Sequence, residues 1–196
     1  ITSVIIPNNV MTIGDYAFNE CKNITSVIIP NNVMTIGDYA FNSCEKLAVV
    51  NFGENVKTIG DYAFNGCGSL TLVDIPESVT WVGENVFGSC TNITTVILNK
   101  ALYISAGAFS GCSSLTDITI PDGVEYIAGG TFNYCVSLTD ISLPDSIVWI
   151  GGGAFAMCDK LSKVDLGNGV TSIGDFAFSS CDSLKNIVIP DSVTNM

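Results

Sequence analysis

Apolar and polar positions in this chain follow two periods in succession. In the opening segment Val4 and Ile6 lie on one side with Ile5 between them, the period-2 pattern of a strand buried on one face. Pro7 stops that strand, and Asn8-Asn9 supplies turn chemistry. Val10 and Ile13 return to the apolar side. Gly14-Asp15 then lead into a short helical or irregular turn carrying Ala17, Phe18 and Cys21. After that the pattern begins again.

The recurrence organises the whole chain. Cys21, Cys44, Cys67, Cys90, Cys112, Cys135, Cys158 and Cys181 are spaced by 23 residues, except for one step of 22 between Cys90 and Cys112. Residues 1–19 and 24–42 are identical, which points to recent duplication. The repeats run 1–23, 24–46, 47–69, 70–92, 93–114, 115–137, 138–160 and 161–183, with a partial copy at 184–196. The short step is a deletion in the turn after Leu98, where an indel is tolerated and a strand register is not disturbed. No unit of this length can bury its apolar face alone. The expectation is a single repeat solenoid, with the copies stacked into one continuous parallel β-sheet and the phenylalanines from Phe18 to Phe178 aligned as an internal spine.

The string Ile-Pro-x-x-Val-x-x-Ile-Gly-x-x-Ala-Phe-x-x-Cys, as at Ile29, Pro30, Val33, Ile36, Gly37, Ala40, Phe41 and Cys44, resembles the BspA-like (treponemal-type) leucine-rich repeat. The resemblance covers essentially the whole chain. It implies a leucine-rich-repeat fold and a cell-surface or secreted protein used in adhesion to proteins of a host or of neighbouring cells, with no catalytic residues to carry over. The chain departs from the pattern where Gly53, Asn99 and Gly167 replace Pro, Ser105 and Ala128 replace Gly, and Val86 and Thr131 replace Ala. The chain is read as part of a longer protein, because it opens inside the repeat pattern.

Composition narrows the chemistry. The net charge is −12, with seven lysines and no arginine, which argues against nucleic acid and anionic membranes as partners. Apolar runs such as Val27-Ile28-Ile29 end after a few residues, so the segment is not expected to insert into a membrane. Without histidine the commonest general base and metal ligand are missing, and a triad of the usual type cannot form. No cofactor, metal site or catalytic residue is expected. The cysteines, one per repeat and among apolar neighbours, are read as buried, reduced thiols. Gly151-Gly152-Gly153 lies in a repeat turn and lacks the context of a phosphate loop.

Two outward features remain. On the outer strand face Ile5, Ile28, Val49, Leu72 and Ile97 form an apolar strip expected to be the interaction face for a protein, while Asp117, Asp140 and Asp165 mark an acidic zone beyond it. At the position before the second inward isoleucine the repeats read Thr12, Thr35, Thr58, Trp81, Tyr103, Tyr126, Trp149 and Ser172. The four aromatics of that stripe are the alternative site, suited to a glycan. Four residues further on stand Tyr16, Tyr39, Tyr62, Asn85, Gly107, Gly130, Gly153 and Phe176, aromatic where the first track is not. Volume exchange over a shared apolar patch is one expectation for that alternation. The sequence thus reads as a non-enzymatic, adhesin-like recognition module, the alternatives being a structural spacer or the targeting region of a larger enzyme.

Overall fold

The computed structural model describes residues 1–100 and 103–196. Among them the chain forms short strands β1 (Thr12–Ile13), β2 (Ser26–Ile28), β3 (Thr35–Ile36), β4 (Val49–Asn51), β5 (Thr58–Ile59), β6 (Leu72–Asp74), β7 (Trp81–Val82) and β8 (Thr95–Ile97). They are followed by β9 (Tyr103–Ile104), β10 (Asp117–Thr119), β11 (Tyr126–Ile127), β12 (Asp140–Ser142), β13 (Trp149–Ile150), β14 (Lys163–Asp165) and β15 (Ser172–Ile173). From the second repeat to the eighth each turn of the solenoid therefore carries two strands, one more than the hydrophobic pattern alone suggests. Every pairing is parallel and joins equivalent positions, as in Thr12 with Thr35 and Val27 with Val50. The one-residue deletion does not disturb the register: Trp81 pairs with Tyr103 and Thr95 with Asp117.

The expected continuous sheet is instead segmented. The three-residue strands form the ladders β2-β4, β6-β8-β10 and β12-β14, and the two-residue strands form β1-β3-β5-β7-β9 and β11-β13-β15. The third side of each turn is irregular, not helical. It contains two residues of positive φ four positions apart, such as Tyr16 with Glu20 and Tyr39 with Ser43. Those left-handed residues make alternate N–H groups point along the solenoid axis. Tyr16, Phe18 and Glu20 donate to the carbonyls of Asp38, Ala40 and Asn42 at 2.8, 2.7 and 2.8 Å, while Ala17, Asn19 and Cys21 donate three residues back within their own turn. A helix would spend all these donors internally and leave nothing to bond the next repeat.

The core runs down the axis. Phe41, Phe64, Phe87, Phe109, Phe132 and Phe155 are fully buried and stack face to face with their neighbours. Centroid spacings are 5.1–5.5 Å except at Phe87–Phe109 and Phe109–Phe132, where both are 5.8 Å. Val27 and Ile29 are buried while Ile28 between them is exposed, the alternation read from the sequence.

Candidate functional site

The outer strand face exposes Ile5, Ile28, Val49, Leu72 and Ile97, at 92, 67, 47, 49 and 41%. Register divides them between two rails. Ile28 pairs with Asn51, and Asp74 pairs with Ile97, so Ile28 and Ile97 belong to a rail that is polar between them. Val49 pairs with Ser26, and Leu72 pairs with Thr95, on the parallel rail two residues earlier. The expected contiguous strip is thus a zigzag of apolar side chains with Asn51 and Asp74 interleaved. A one-dimensional pattern cannot distinguish i from i+2 on the same face, because both project outward. Beyond β8 the same rails carry Asp117 with Thr119, Asp140 with Ser142 and Lys163 with Asp165.

The aromatic stripe is one true rail, but it is interrupted. Trp81 stacks on Tyr103 at 4.8 Å and 9°, and Tyr126 meets Trp149 edge-on at 6.5 Å and 63°. All four rings stay 39–50% exposed. The complementary rail opens with Tyr16, Tyr39 and Tyr62 stacked at 4.8 Å and nearly coplanar. Asn85 ends that ladder by donating its Nδ2 to the Tyr62 hydroxyl at 3.2 Å. At the glycines that follow, the surroundings of an added Cβ differ from repeat to repeat: at Gly107 it would meet the Asn85 side chain. A Cβ built at Gly130 or Gly153 meets only Asn133 and Ala156 atoms within 4 Å, not the ring of its own repeat. The shared feature is conformational: this position has φ between 48° and 66° in every full repeat, from Tyr16 to Phe176. A tyrosine there bears left-handed strain offset by its stacked neighbours, and without such neighbours glycine suits the position best.

Among the described residues the two-residue ladder is not continued from Tyr103 to Tyr126, next to the two glycine replacements. At most repeats glycine follows the second inward residue, and its N–H donates to the preceding turn: Gly37 to Ile13, Gly60 to Ile36 and Gly83 to Ile59 at 2.8–2.9 Å, Gly151 to Ile127 and Gly174 to Ile150 at 2.7 Å. The approach leaves no room for a side chain. A Cβ at Gly151 would lie 2.8 Å from the carbonyl carbon of Ala128, and one at Gly174 2.6 Å from the nitrogen of Gly152. Ser105 and Ala128 carry that Cβ. The Ser105 N–H still reaches Val82, at 3.0 Å, whereas among the described residues the Ala128 N–H makes no such bond to Ile104. On the turn side the same repeats stay joined, Phe109 donating to Thr131 at 3.0 Å. The solenoid therefore opens on the stripe side only, and the widened Phe109 spacing shares the same place.

The opening is a cleft of about 280 Å³ lined by Tyr103, Ile104, Tyr126, Ala128 and Trp149. Three of the four stripe residues meet there, while Trp81 sits behind Tyr103. The Glu125 carboxylate faces the Tyr126 hydroxyl and raises that phenol above its ordinary pKa, first by hydrogen bonding and then by its charge. Ser105, buried one residue from Ile104, has a hydroxyl with no hydrogen-bond partner among the described residues. Sequence reasoning misses Ile104, Ser105 and Ala128 as site residues. Their signal is the loss of glycine at 105 and 128, whose meaning depends on how closely adjacent turns approach.

The thiols are structural. All eight cysteines are unbridged, and those from Cys44 to Cys181 are buried. From Cys44 onward each Sγ donates to the carbonyl of the phenylalanine in the preceding repeat, at 3.1–3.3 Å. Burial raises the thiol of Cys44 to about 11 and those of Cys90 and Cys158 to about 12, so the reactive thiolate is scarce near neutrality. Among the described residues no group of His, Cys, Asp or Glu is arranged to hold a metal ion.

The stacked turns and parallel ladders define a β-solenoid of the leucine-rich-repeat class. The chain belongs to the BspA type leucine rich repeat region family, whose model matches residues 1–104 and 92–196. It is similar to the leucine-rich repeat protein of T. pallidum, at 30% identity and a TM-score of 0.74 over 82% of this chain and 78% of that one. It also shares its fold with a leucine-rich repeat protein from Bacteroides ovatus, at 24% identity and a TM-score of 0.61, covering 98% and 80% of the two chains. A search of curated protein sequences found no significant match.

Proposed function

We propose that this solenoid is a non-catalytic recognition module of a surface or secreted protein, binding a protein partner through the outer face of β2, β4, β6 and β8. The observation that carries the reading is the exposure of Ile28, Val49, Leu72 and Ile97 on strands whose alternate residues supply the core, with Ile5 exposed at the equivalent position of the first repeat. These side chains have no inward packing role, and together they exceed scattered surface apolarity. Ladder bonding holds them in a rigid array, so docking orders few side chains and loses little entropy. The polar residues Asn51 and Asp74 between them suit a protein surface, which offers hydrogen-bond partners, better than a lipid one. Membership of the BspA type family supports both the interaction role and the placement at the cell surface, since such repeats are commonly found in surface proteins. Among the described residues no helix is long and apolar enough to cross a membrane.

The test is solid-phase binding of the purified module to immobilised matrix proteins and to intact cells. Replacing Ile28, Val49 and Leu72 together with Ser should abolish binding while the circular dichroism and melting transition stay unchanged. Undiminished binding by that variant sinks the assignment of the face.

A further inference from the structure

We propose that the cleft between β9 and β11 is a second, independent site that holds one uncharged sugar ring of a glycan. Three observations converge on that ligand. The cleft is lined by the rings of Tyr103, Tyr126 and Trp149, whose exposed faces attract the C–H face of a pyranose. Among the described residues the Ile104 carbonyl and the Ala128 N–H lack the mutual bond made at most repeats, and both residues line the cavity. With the Tyr103 and Tyr126 hydroxyls they supply donors and acceptors around an apolar floor, as the hydroxyl rim of a sugar requires. A volume of about 280 Å³ lies at the lower bound of ligand pockets, which run from roughly 300 Å³ upward, and suits a single ring. An aromatic side chain of a protein partner would fill the same space, but it would leave the rung's donor and acceptor unpaired. Net charge −12 and the carboxylate of Glu125 beside the cleft exclude an acidic sugar.

The break itself argues for a built site. It falls at Ala128, where the chain gives up the glycine found at most repeats, while Ser105, which does the same, keeps its rung to Val82 at 3.0 Å.

The probes are the methyl α-glycosides of glucose, mannose and galactose, and N-acetylglucosamine, titrated through the millimolar range against the intact chain. Binding is read by saturation-transfer NMR and by tryptophan fluorescence, which reports on Trp81 and Trp149 alone. At least one probe should bind and perturb the fluorescence. Trp149→Ala and Tyr103→Leu should each weaken it at least tenfold, whereas the outer-face triple variant should leave it unchanged. The double variant Ser105→Gly/Ala128→Gly keeps every ring but lets the ladder close, and it too should lose binding at least tenfold. Its melting transition, with those of the ring variants, separates loss of the site from loss of the fold. Three results overturn the proposal: no probe binds, binding survives the closing variant, or a free phenol or indole binds while every sugar fails. That last result would reveal a pocket for an aromatic side chain. None of the three bears on the outer-face reading, which stands or falls on protein binding.

Discussion

The first three repeats and the fifth and sixth are built from nearly the same string, yet they differ in how closely their turns approach. In the first group Gly37 and Gly60 allow each turn to sit directly on its predecessor, the ladder rungs measure 2.8 Å, and Tyr16, Tyr39 and Tyr62 stack into a continuous column. In the second group Ser105 and Ala128 each add one Cβ at the point of contact. Among the described residues one rung is missing there, the phenylalanine spacing is 5.8 Å on both sides of Phe109, and a cleft lies among aromatic side chains. The lesson is that in a stacked repeat a single methyl at the contact point has consequences along the axis, because each turn is the template for the next. Regularity gives stability and a flat wall; a small departure from it gives concavity.

The largest effect should come from the spine. Phe64→Ala removes a fully buried ring stacked on both sides and should destabilise by roughly 3–5 kcal/mol. Phe109→Ala should fall at the low end of that range, since its neighbours stand farther away. Urea denaturation of the two variants measures the difference, and equal losses would deny that the opening reaches the core.

Next in size is the contact-point exchange. Gly60→Ala introduces a Cβ 2.8 Å from the nitrogen of Asp38 and should cost about 1–3 kcal/mol by overpacking. Ala128→Gly should change stability little. The regained rung, worth about 0.5–1.5 kcal/mol, offsets the added freedom of glycine, about 0.5–1 kcal/mol. If Gly60→Ala proved as mild as Ala128→Gly, steric contact would not explain the break. Amide exchange should show the N–H of residue 128 unprotected both in the native chain and in Gly60→Ala, and protected in the closing variant.

The thiol column offers a gentler probe. Folded-state thiols are raised to about 11 at Cys44 and about 12 at Cys90 and Cys158, against 9.0 for the ordinary group. Below pH 9 both folded and unfolded chains hold these protons and the contribution is fully present. As the pH climbs from 9 toward 12 the unfolded chain releases protons that the folded one keeps, so stability is lost progressively across that window. Melting temperatures should decline over it, and Cys90→Ala should flatten the decline. A slope independent of that substitution would contradict the burial argument.

The smallest effect concerns the left-handed rail. In the tight region Tyr39→Gly relieves about 1–2 kcal/mol of backbone strain but forfeits two stacked contacts of about 0.5–1.5 kcal/mol each, leaving a net change between about 1 kcal/mol stabilising and about 2 kcal/mol destabilising. Phe176, at φ 58° and 77% exposed, has no stacked ring among the described residues. Phe176→Gly should therefore stabilise slightly where Tyr39→Gly does not, a difference that paired thermal melts can resolve.

Much of this molecule was legible as a string. The 23-residue spacing of the cysteines, the alternation Val27-in, Ile28-out, Ile29-in and the recurrence of Phe at one position per repeat suffice to imply a parallel solenoid with an aromatic axis, because these are local patterns repeated without change. The exposure of Ile28, Leu72 and the aromatic stripe was legible for the same reason. What the string did not carry was the relation between turns. It did not separate the two outward rails, so Val49 and Leu72 fell in with Ile28 and Ile97. It offered volume exchange for Gly130 and Gly153, and did not show that the backbone at this position has positive φ in every full repeat. It also recorded Ser105 and Ala128 as mere departures, with no indication that a Cβ there meets the backbone of a residue one turn away. Inward and outward are decided by neighbours along the chain, and sequence alone determined them. Rails, rungs and the cleft are decided by distances between residues some 23 positions apart, and only the stacked structure settles how near those residues come.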